Sequence, residues 1–127
     1  MASPGLGPLG QVALTVQQLE RAVQFYRDQL GLRFLFQAGP GLAFFDLAGV
    51  RLMLTSEASG SGSAGSVLYF CVPDIDAAYQ VLAERGVHFT DQPHLIHQDG
   101  DYQLWMSFFG DGEGNTLAIM EESRPLA

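Results

Sequence analysis

The sequence predicts an α+β fold in which two βαβββ modules pair to form a cupped, mixed sheet of eight strands. Three observations predict it: strand-like alternation of apolar residues, two amphipathic helical segments that each end at a glycine, and recurrence of the same order in the second half of the chain. One helix on a four-stranded sheet leaves a sheet face uncovered, so two modules should associate. At 127 residues, the whole chain, 1–127, is expected to form a single domain.

The first module is expected at about residues 9–55. Residues 11–16 alternate between apolar and polar side chains, as a strand with one covered face does. Gly31 follows an amphipathic helix whose apolar positions recur at helical spacing: Leu19, Ala22, Val23, Tyr26 and Leu30. The remaining strands are expected at 32–37, 42–47 and 50–55.

A Ser- and Gly-rich linker at 56–65 separates the second module, expected at about residues 66–122. That module repeats the order, with a strand at 67–72 and a helix that begins after the N-cap candidate Asp74 and stops at Gly86. It ends in a hairpin, in which six residues of turn composition (110–115) separate two apolar runs. The repeat is longer than the first by a loop that contains residues 93–102.

Composition excludes several functional classes. The net charge is −8 with only six Lys and Arg residues, which disfavours binding to nucleic acid or an anionic membrane. No apolar run is long enough for a membrane span, and the start of the chain lacks the features of a signal peptide, so the cytoplasm is the expected location. Cys71 is the only cysteine, which fits a reducing compartment, and its apolar surroundings predict a small buried hydrophobe.

Three segments carry a resemblance to a known family: residues 11–16 (QVALTV), 25–32 (FYRDQLGL) and 111–115 (DGEGN). Together with the repeated βαβββ order, they resemble the vicinal oxygen chelate superfamily, which includes glyoxalase I, extradiol dioxygenases and bleomycin-binding resistance proteins. The resemblance covers about residues 9–122. It implies paired modules whose eight strands form a cup, with helices on the convex side and a ligand in the concavity.

The resemblance also implies where a metal would bind. Enzymes of the superfamily usually hold a divalent ion with one side chain from the first and one from the last strand of each module. These positions fall on Gln11, Met53, Val67 and Ala118. Three of the four cannot bind a hard or borderline cation and Gln11 is a weak neutral ligand, so we expect no metal and no cofactor here.

Strand parity predicts which residues line the cup. One face of the strands is uniformly apolar and suits the helix side, whereas the other is mixed, as a small-molecule pocket requires. The mixed face could instead be a wet outer surface or a dimer contact. The pocket residues expected are Gln11, Arg51, Met53, Val67, Tyr69, Trp105, Ser107, Phe109 and Ala118.

The choice among residues of the hairpin strand is open. Trp105, Ser107 and Phe109 share one face, whereas Leu104, Met106 and Phe108 share the other, and aromatic strand residues can also be plain core. We expect the set that contains Trp105 to face the pocket and to supply an aromatic wall.

Other motifs favour structural roles. His94 and His97 are three residues apart, which would place them on opposite sides of a strand, and they are expected in a solvated loop. His88 is expected on an edge strand. Ser107 lacks the turn of a serine hydrolase, and the glycines of 110–115 lack the following helix that a phosphate site needs.

Three functional hypotheses follow. The first is a metal-free binding protein that sequesters a small organic molecule, aromatic or cationic, and assembles as a homodimer, with modules paired within a chain or exchanged between chains. The second is an enzyme, a lyase, isomerase or dioxygenase-like protein, with or without a metal, in which Tyr69, Arg51 or a histidine acts on the substrate. The third is a structural or regulatory dimer whose cup is filled by side chains.

Overall fold

The computed structural model describes residues 4–5, 9–56 and 66–123, so the expected Ser/Gly linker lies, apart from Ser56, outside the described residues. The α+β class and the two βαβββ modules are confirmed. The first module contains β1 (Gln11–Thr15), α1 (Leu19–Gln24), a π-helical segment (Phe25–Gln29), β2 (Arg33–Ala38), β3 (Leu42–Leu47) and β4 (Val50–Thr55). The second contains β5 (Leu68–Cys71), α2 (Ile75–Glu84), β6 (His94–Asp99), β7 (Tyr102–Gly110) and β8 (Thr116–Glu122).

The eight strands lie in two sheets of four, with the orders β1-β4-β3-β2 and β5-β8-β7-β6. In each sheet the first strand of the module runs parallel to the last, and the other pairs are antiparallel. Within the described residues no ladder joins the two sheets, so the eight strands of the paired modules are divided into four and four.

The helices end where the sequence predicts. Gly31 and Gly86 adopt positive φ angles of 74° and 88°, which glycine accepts without strain. The N-cap prediction for Asp74 is confirmed, since its carboxylate accepts a hydrogen bond from the Ala77 N–H at 3.1 Å. Neither helix in the described part of the chain has the length and apolarity needed to cross a bilayer.

One prediction about the strands is wrong. Residues 94–99 form strand β6 rather than part of a loop, and they pair with β7 through a ladder interrupted by a bulge between Leu95 and His97. The bulge disturbs the alternation on which strand recognition depends, and every residue of this edge strand is exposed. The side chains of β6 therefore show no alternation of apolar and polar residues.

The two modules share one hydrophobic core. Leu52 and Leu54 from β4 are fully buried, as is Leu117 from β8, and they belong to one cluster with residues of both helices. Burying a side chain of this size contributes roughly 1.5–3 kcal/mol relative to its exposed state. The modules are therefore held together by apolar packing on their helix-bearing sides.

A buried polar network fastens the β7–β8 hairpin of the second module to the first module. Asp111 accepts hydrogen bonds from the Tyr26 hydroxyl (2.8 Å) and from the Asn115 side chain (2.8 Å). Asn115 also donates to the Thr15 carbonyl at 3.0 Å. Burial, followed by the nearby charge of Asp111, raises the pKa of Tyr26 far above its usual range, so the hydroxyl remains a donor.

Glu113, from the same hairpin, caps the start of α1. Its buried carboxylate accepts hydrogen bonds from the backbone N–H groups of Gln17 and Gln18 and pairs with Arg21. Gln18, the residue at the N-cap position, makes no capping bond with its own side chain. A residue of the second module thus satisfies helix donors of the first.

The pKa of Glu113 makes this contact dependent on pH. Burial raises the pKa, but the bonds from Gln18, Arg21 and Gln17 outweigh burial, so the net pKa lies below its ordinary value of 4.5. A lowered pKa stabilises the folded state above the ordinary value, and that stabilisation is lost as the pH falls through the lowered one. We therefore expect Glu113→Gln to reduce the free energy of unfolding at pH 7 by about 1–3 kcal/mol. The free energy of unfolding of the variant should also fall less steeply than that of the unaltered protein as the pH drops below about 4.5. Urea unfolding at several pH values measures both effects.

Asp28 offers the matched control for this prediction. Its carboxylate pairs with the neighbouring Arg27 on the surface, which lowers its pKa although it is fully exposed. Solvent screens such a pair, so Asp28→Asn should leave the free energy of unfolding nearly unchanged at every pH measured. Equal effects of the two substitutions would contradict the role assigned to Glu113.

Candidate functional site

The strand register assigns each side chain to one of two faces. In the first sheet Val12, Leu52 and Leu54 lie on the face covered by the helix, and the neighbours of these residues lie on the opposite face. In the second sheet Leu117 and Ile119 mark the covered face. We call the opposite faces the open faces, and the first of them carries Gln11, Ala13, Thr15, Phe36, Phe44, Asp46, Arg51, Met53 and Thr55.

Arg51 is held in a fixed position on the open face of the first sheet. Its Nε donates to Gln11 Oε1 at 2.9 Å, and its guanidinium lies 5.4 Å from the centroid of the Phe44 ring. Phe44 in turn stacks on Phe36, with ring centroids 4.7 Å apart and planes inclined by 31°. A cation on stacked rings can bind an acidic group while the rings contact an aromatic one.

The open face of the second sheet has an aromatic pair around a small residue. Tyr69 and Phe108 are both register partners of Ala118, and their rings meet edge to face at 5.9 Å. Ala118 is fully buried between these flanking strands. Val67, directly before β5, has the parity of Tyr69 and is half-buried.

The face expected for Trp105, Ser107 and Phe109 is wrong. Ser107 pairs with Ile119 and Phe109 with Leu117, so the three residues lie on the covered face, and Leu104, Met106 and Phe108 lie on the open one. Sequence parity could not decide this because both sets contain large apolar residues. A serine in the covered set made the assignment harder, because a polar residue is not expected on a buried face.

Local contacts explain how a serine is tolerated in the covered set. The Ser107 hydroxyl donates to the Asp91 carbonyl at 2.8 Å, and an Asp91 carboxylate oxygen accepts from the Phe108 N–H at 2.8 Å. Trp105 is half-buried and its indole N–H donates to Gln103 Oε1 at 3.1 Å. These residues therefore support the sheet from behind and do not line the open face.

His94 and His97 share the open face of the second sheet, contrary to the expectation that they lie on opposite sides. His94 is the register partner of Met106 and His97 that of Leu104, because the bulge adds one residue between them. The His97 ring lies 6.3 Å from the ring of Tyr102. No pattern in the sequence marks this bulge, so sequence reasoning placed neither histidine among the expected pocket residues.

Cys71 and His88 are both exposed. Cys71 lies on the open face, two residues after Tyr69 on β5. It is exposed and is not the buried hydrophobe expected, because β5 is an edge strand. His88 is exposed beside a single bridge between Phe89 and Phe109, and its segment does not extend into a strand.

A groove of about 640 Å³ runs along β5 where the two modules meet. Small-molecule sites commonly have volumes of roughly 300–1,000 Å³. Its lining is mostly apolar, and it reaches the open face of the first sheet at Arg33 and Asp46, the latter being the register partner of Arg51. Of the pocket residues expected from the sequence, the groove includes Tyr69.

The geometry can be compared with known proteins. The family model of the Glyoxalase/Bleomycin resistance protein/Dioxygenase superfamily matches residues 9–119. The chain belongs to this superfamily. YraH, an uncharacterized protein of Bacillus subtilis, is 27% identical over 86% of this chain and 94% of its own length.

Solved structures of the superfamily agree in fold. A member from Sphaerobacter thermophilus superimposes with a TM-score of 0.76 at 25% identity, covering 91% of this chain and 98% of that one. A lactoylglutathione lyase from Agrobacterium tumefaciens has a TM-score of 0.71 at 22% identity, covering 91% and 94%. At that identity the second likeness concerns the fold alone.

The divalent metal that the superfamily implies does not fit the residues present. Gln11 Oε1 already accepts a hydrogen bond from Arg51, and Gln11 Nε2 lies 3.9 Å from Met53 Sδ. A fixed guanidinium at this point repels a cation, and Val67 and Ala118 supply only hydrocarbon. Within the described residues no three His, Cys, Asp or Glu side chains form a group that could hold a metal.

The assignment of faces on β7 can be tested by a matched pair of substitutions. We expect Phe109→Ala to lower the free energy of unfolding by about 3–5 kcal/mol, because Phe109 is only 1% exposed and leaves a cavity. Phe108 is half-buried on the open face, so Phe108→Ala should lower the free energy of unfolding clearly less. Urea unfolding measures both values, and the reverse order would contradict the register.

Proposed function

We propose that the protein is a small-molecule-binding member of the superfamily that captures an organic ligand on its open faces, without a divalent metal at the superfamily positions. The observation that carries the proposal is the Arg51 guanidinium, which is hydrogen-bonded to Gln11 and lies over the ring of Phe44, itself stacked on Phe36. An exposed cation already fixed in place loses little entropy when it binds. Such an arrangement suits binding more than it suits bond-breaking.

The chemistry of the open faces favours an aromatic ligand. Phe36 is 46% exposed and Tyr69 45% exposed, so each sheet offers ring surface to a planar molecule. Arg51 would pair with an acidic substituent, whereas the net charge of −8 attracts a ligand that also carries positive charge. Nucleic acid and membrane surfaces are not proposed as partners, and the proposed location is the cytoplasm.

A homodimer is part of the proposal. Each open face exposes large apolar side chains to solvent, and a second copy placed over them would bury the rings and enclose a cup. Within the described residues no ladder joins the two sheets of one chain. Pairing between a first sheet and the second sheet of another chain would supply both walls.

The second candidate is an enzyme, and the histidines of β6 are the observation that favours it. His94 and His97 share the open face with Tyr69, which gives that face three groups able to transfer protons. A lyase, isomerase or dioxygenase-like reaction would need one of them beside the substrate. Turnover that disappears in His97→Gln but persists in His88→Gln would favour the enzyme.

The binding proposal is tested with a panel of aromatic carboxylates and polycyclic aromatic cations, using thermal shift and then calorimetry. For the compounds that bind, Arg51→Gln should weaken affinity by about tenfold or more, since a charged hydrogen bond contributes about 1.5–3 kcal/mol. Arg27→Gln is the matched control, because Arg27 is fully exposed and paired with Asp28 away from this face. The affinity of the Arg27→Gln variant for these compounds should be unchanged.

Two results would contradict the binding proposal. Equal affinity of the Arg51→Gln variant would show that the guanidinium is not part of the site. Silence across the panel, combined with a stable dimer, would favour the structural or regulatory alternative.

The dimer is tested by sedimentation of the full chain. We expect a species of twice the 13.8 kDa chain mass, and we expect Phe36→Glu to shift it toward the monomer because a charge replaces an exposed ring. Val81→Glu is the control, since Val81 is also 45% exposed but lies on α2. Dissociation by the control alone would place the interface elsewhere.

A further inference from the structure

A row of soft-metal ligands crosses the open face of the second sheet, two residues along from the Tyr69 and Phe108 pair. Met120 on β8 is the register partner of Met106 on β7, and Met106 is the partner of His94 on β6. Cys71 on β5 is the partner of Met120 on its other side. Register partners on one face have side chains next to each other, with Cα atoms about 4.5–5.5 Å apart.

We propose that Met106, Met120 and His94 form a binding site for a monovalent soft cation, Cu(I). Met106 occupies the middle of the three, so an ion above it is one strand spacing from each of the outer residues. The three rotatable bonds of methionine let each thioether turn toward that point. Two thioethers and an imidazole are ligands that select Cu(I) over hard cations.

His94 is oriented for this role by a contact behind it. Its Nδ1 lies 2.8 Å from the Gln92 carbonyl oxygen, which can only accept, so Nδ1 is the donor to this carbonyl and Nε2 is the nitrogen left to bind a cation. A ligating histidine characteristically donates its other N–H in this way, which fixes the tautomer and the ring. The Asp91 carboxylate, 3.7 Å from the same Nδ1, adds negative charge.

The surroundings of the row disfavour a hard, strongly hydrated ion. Met106 and Met120 are half-buried, and Phe108 and Tyr69 flank the row on one side. The site contains no carboxylate among its ligands, which Mg²⁺ and Ca²⁺ require. It is separate from the superfamily metal positions, and it does not depend on the proposed small-molecule function.

Cys71 is an accessory neighbour and is not one of the three ligands. It lies one strand beyond Met120 and therefore two strand spacings from Met106, whereas the longer imidazole of His94 starts from the strand adjacent to Met106. An exposed thiol can also capture Cu(I) alone. The test therefore has to distinguish the three-residue site from binding by this thiol.

The experiment uses the full chain, prepared without a polyhistidine tag, under anaerobic conditions. Cu(I) is titrated in competition with bicinchoninate, and Ag(I) is titrated while the methionine εCH3 resonances are followed. We expect one equivalent to bind, with shifts at Met106 and Met120 and none at Met53, which lies on the first sheet. Zn²⁺ should move none of these signals.

Variants give the second readout. Met106→Leu combined with Met120→Leu, and His94→Asn alone, should each weaken Cu(I) binding by at least about tenfold, since even an outer-shell partner contributes about 10–100-fold. Met53→Leu, the matched control, and Cys71→Ser should retain the affinity. The proposal would be overturned if the methionine and histidine variants kept Cu(I) binding while Cys71→Ser lost it. It would also be overturned if the Met106 and Met120 resonances of the unaltered protein did not shift.

Discussion

The contact between Asp111 and Tyr26 is the constraint on which the arrangement of the two modules depends. It joins the hairpin of the second module to the helical segment of the first by a buried hydrogen bond of 2.8 Å. Asn115 and Glu113 extend the contact to the Thr15 carbonyl and to the start of α1. A buried polar group without a partner is costly, so this set of bonds specifies one way of docking the modules.

That docking determines which faces of the two sheets are covered. Since the modules meet through their helix-bearing sides and through the hairpin, each sheet turns its open face away from the shared core. Those faces differ in chemistry: the first has an oriented guanidinium on stacked rings, and the second has aromatic rings, thioethers and two histidines. The two open faces of one fold therefore carry different side-chain chemistry.

The sequence predicted the class, the repeat and the faces of β1, β4, β5 and β8, because apolar and mixed residues alternate cleanly along those strands. Along β7 the prediction was wrong. Its residues are apolar on both faces, and the partner that makes a buried Ser107 acceptable, Asp91, lies sixteen residues away in sequence. The bulge in β6 places His97 on the same face as His94. It depends on pairing with β7 and has no local signal in the sequence.

Glu113 caps a helix that precedes it by more than ninety residues. During synthesis α1 leaves the ribosome long before its cap exists, so the Gln17 and Gln18 amides must remain hydrated until the last hairpin has been made. The first repeat therefore lacks the acceptor for its helix start until the second repeat has been made. The two halves, although they repeat one βαβββ order, thus share hydrogen bonds that neither half can make alone.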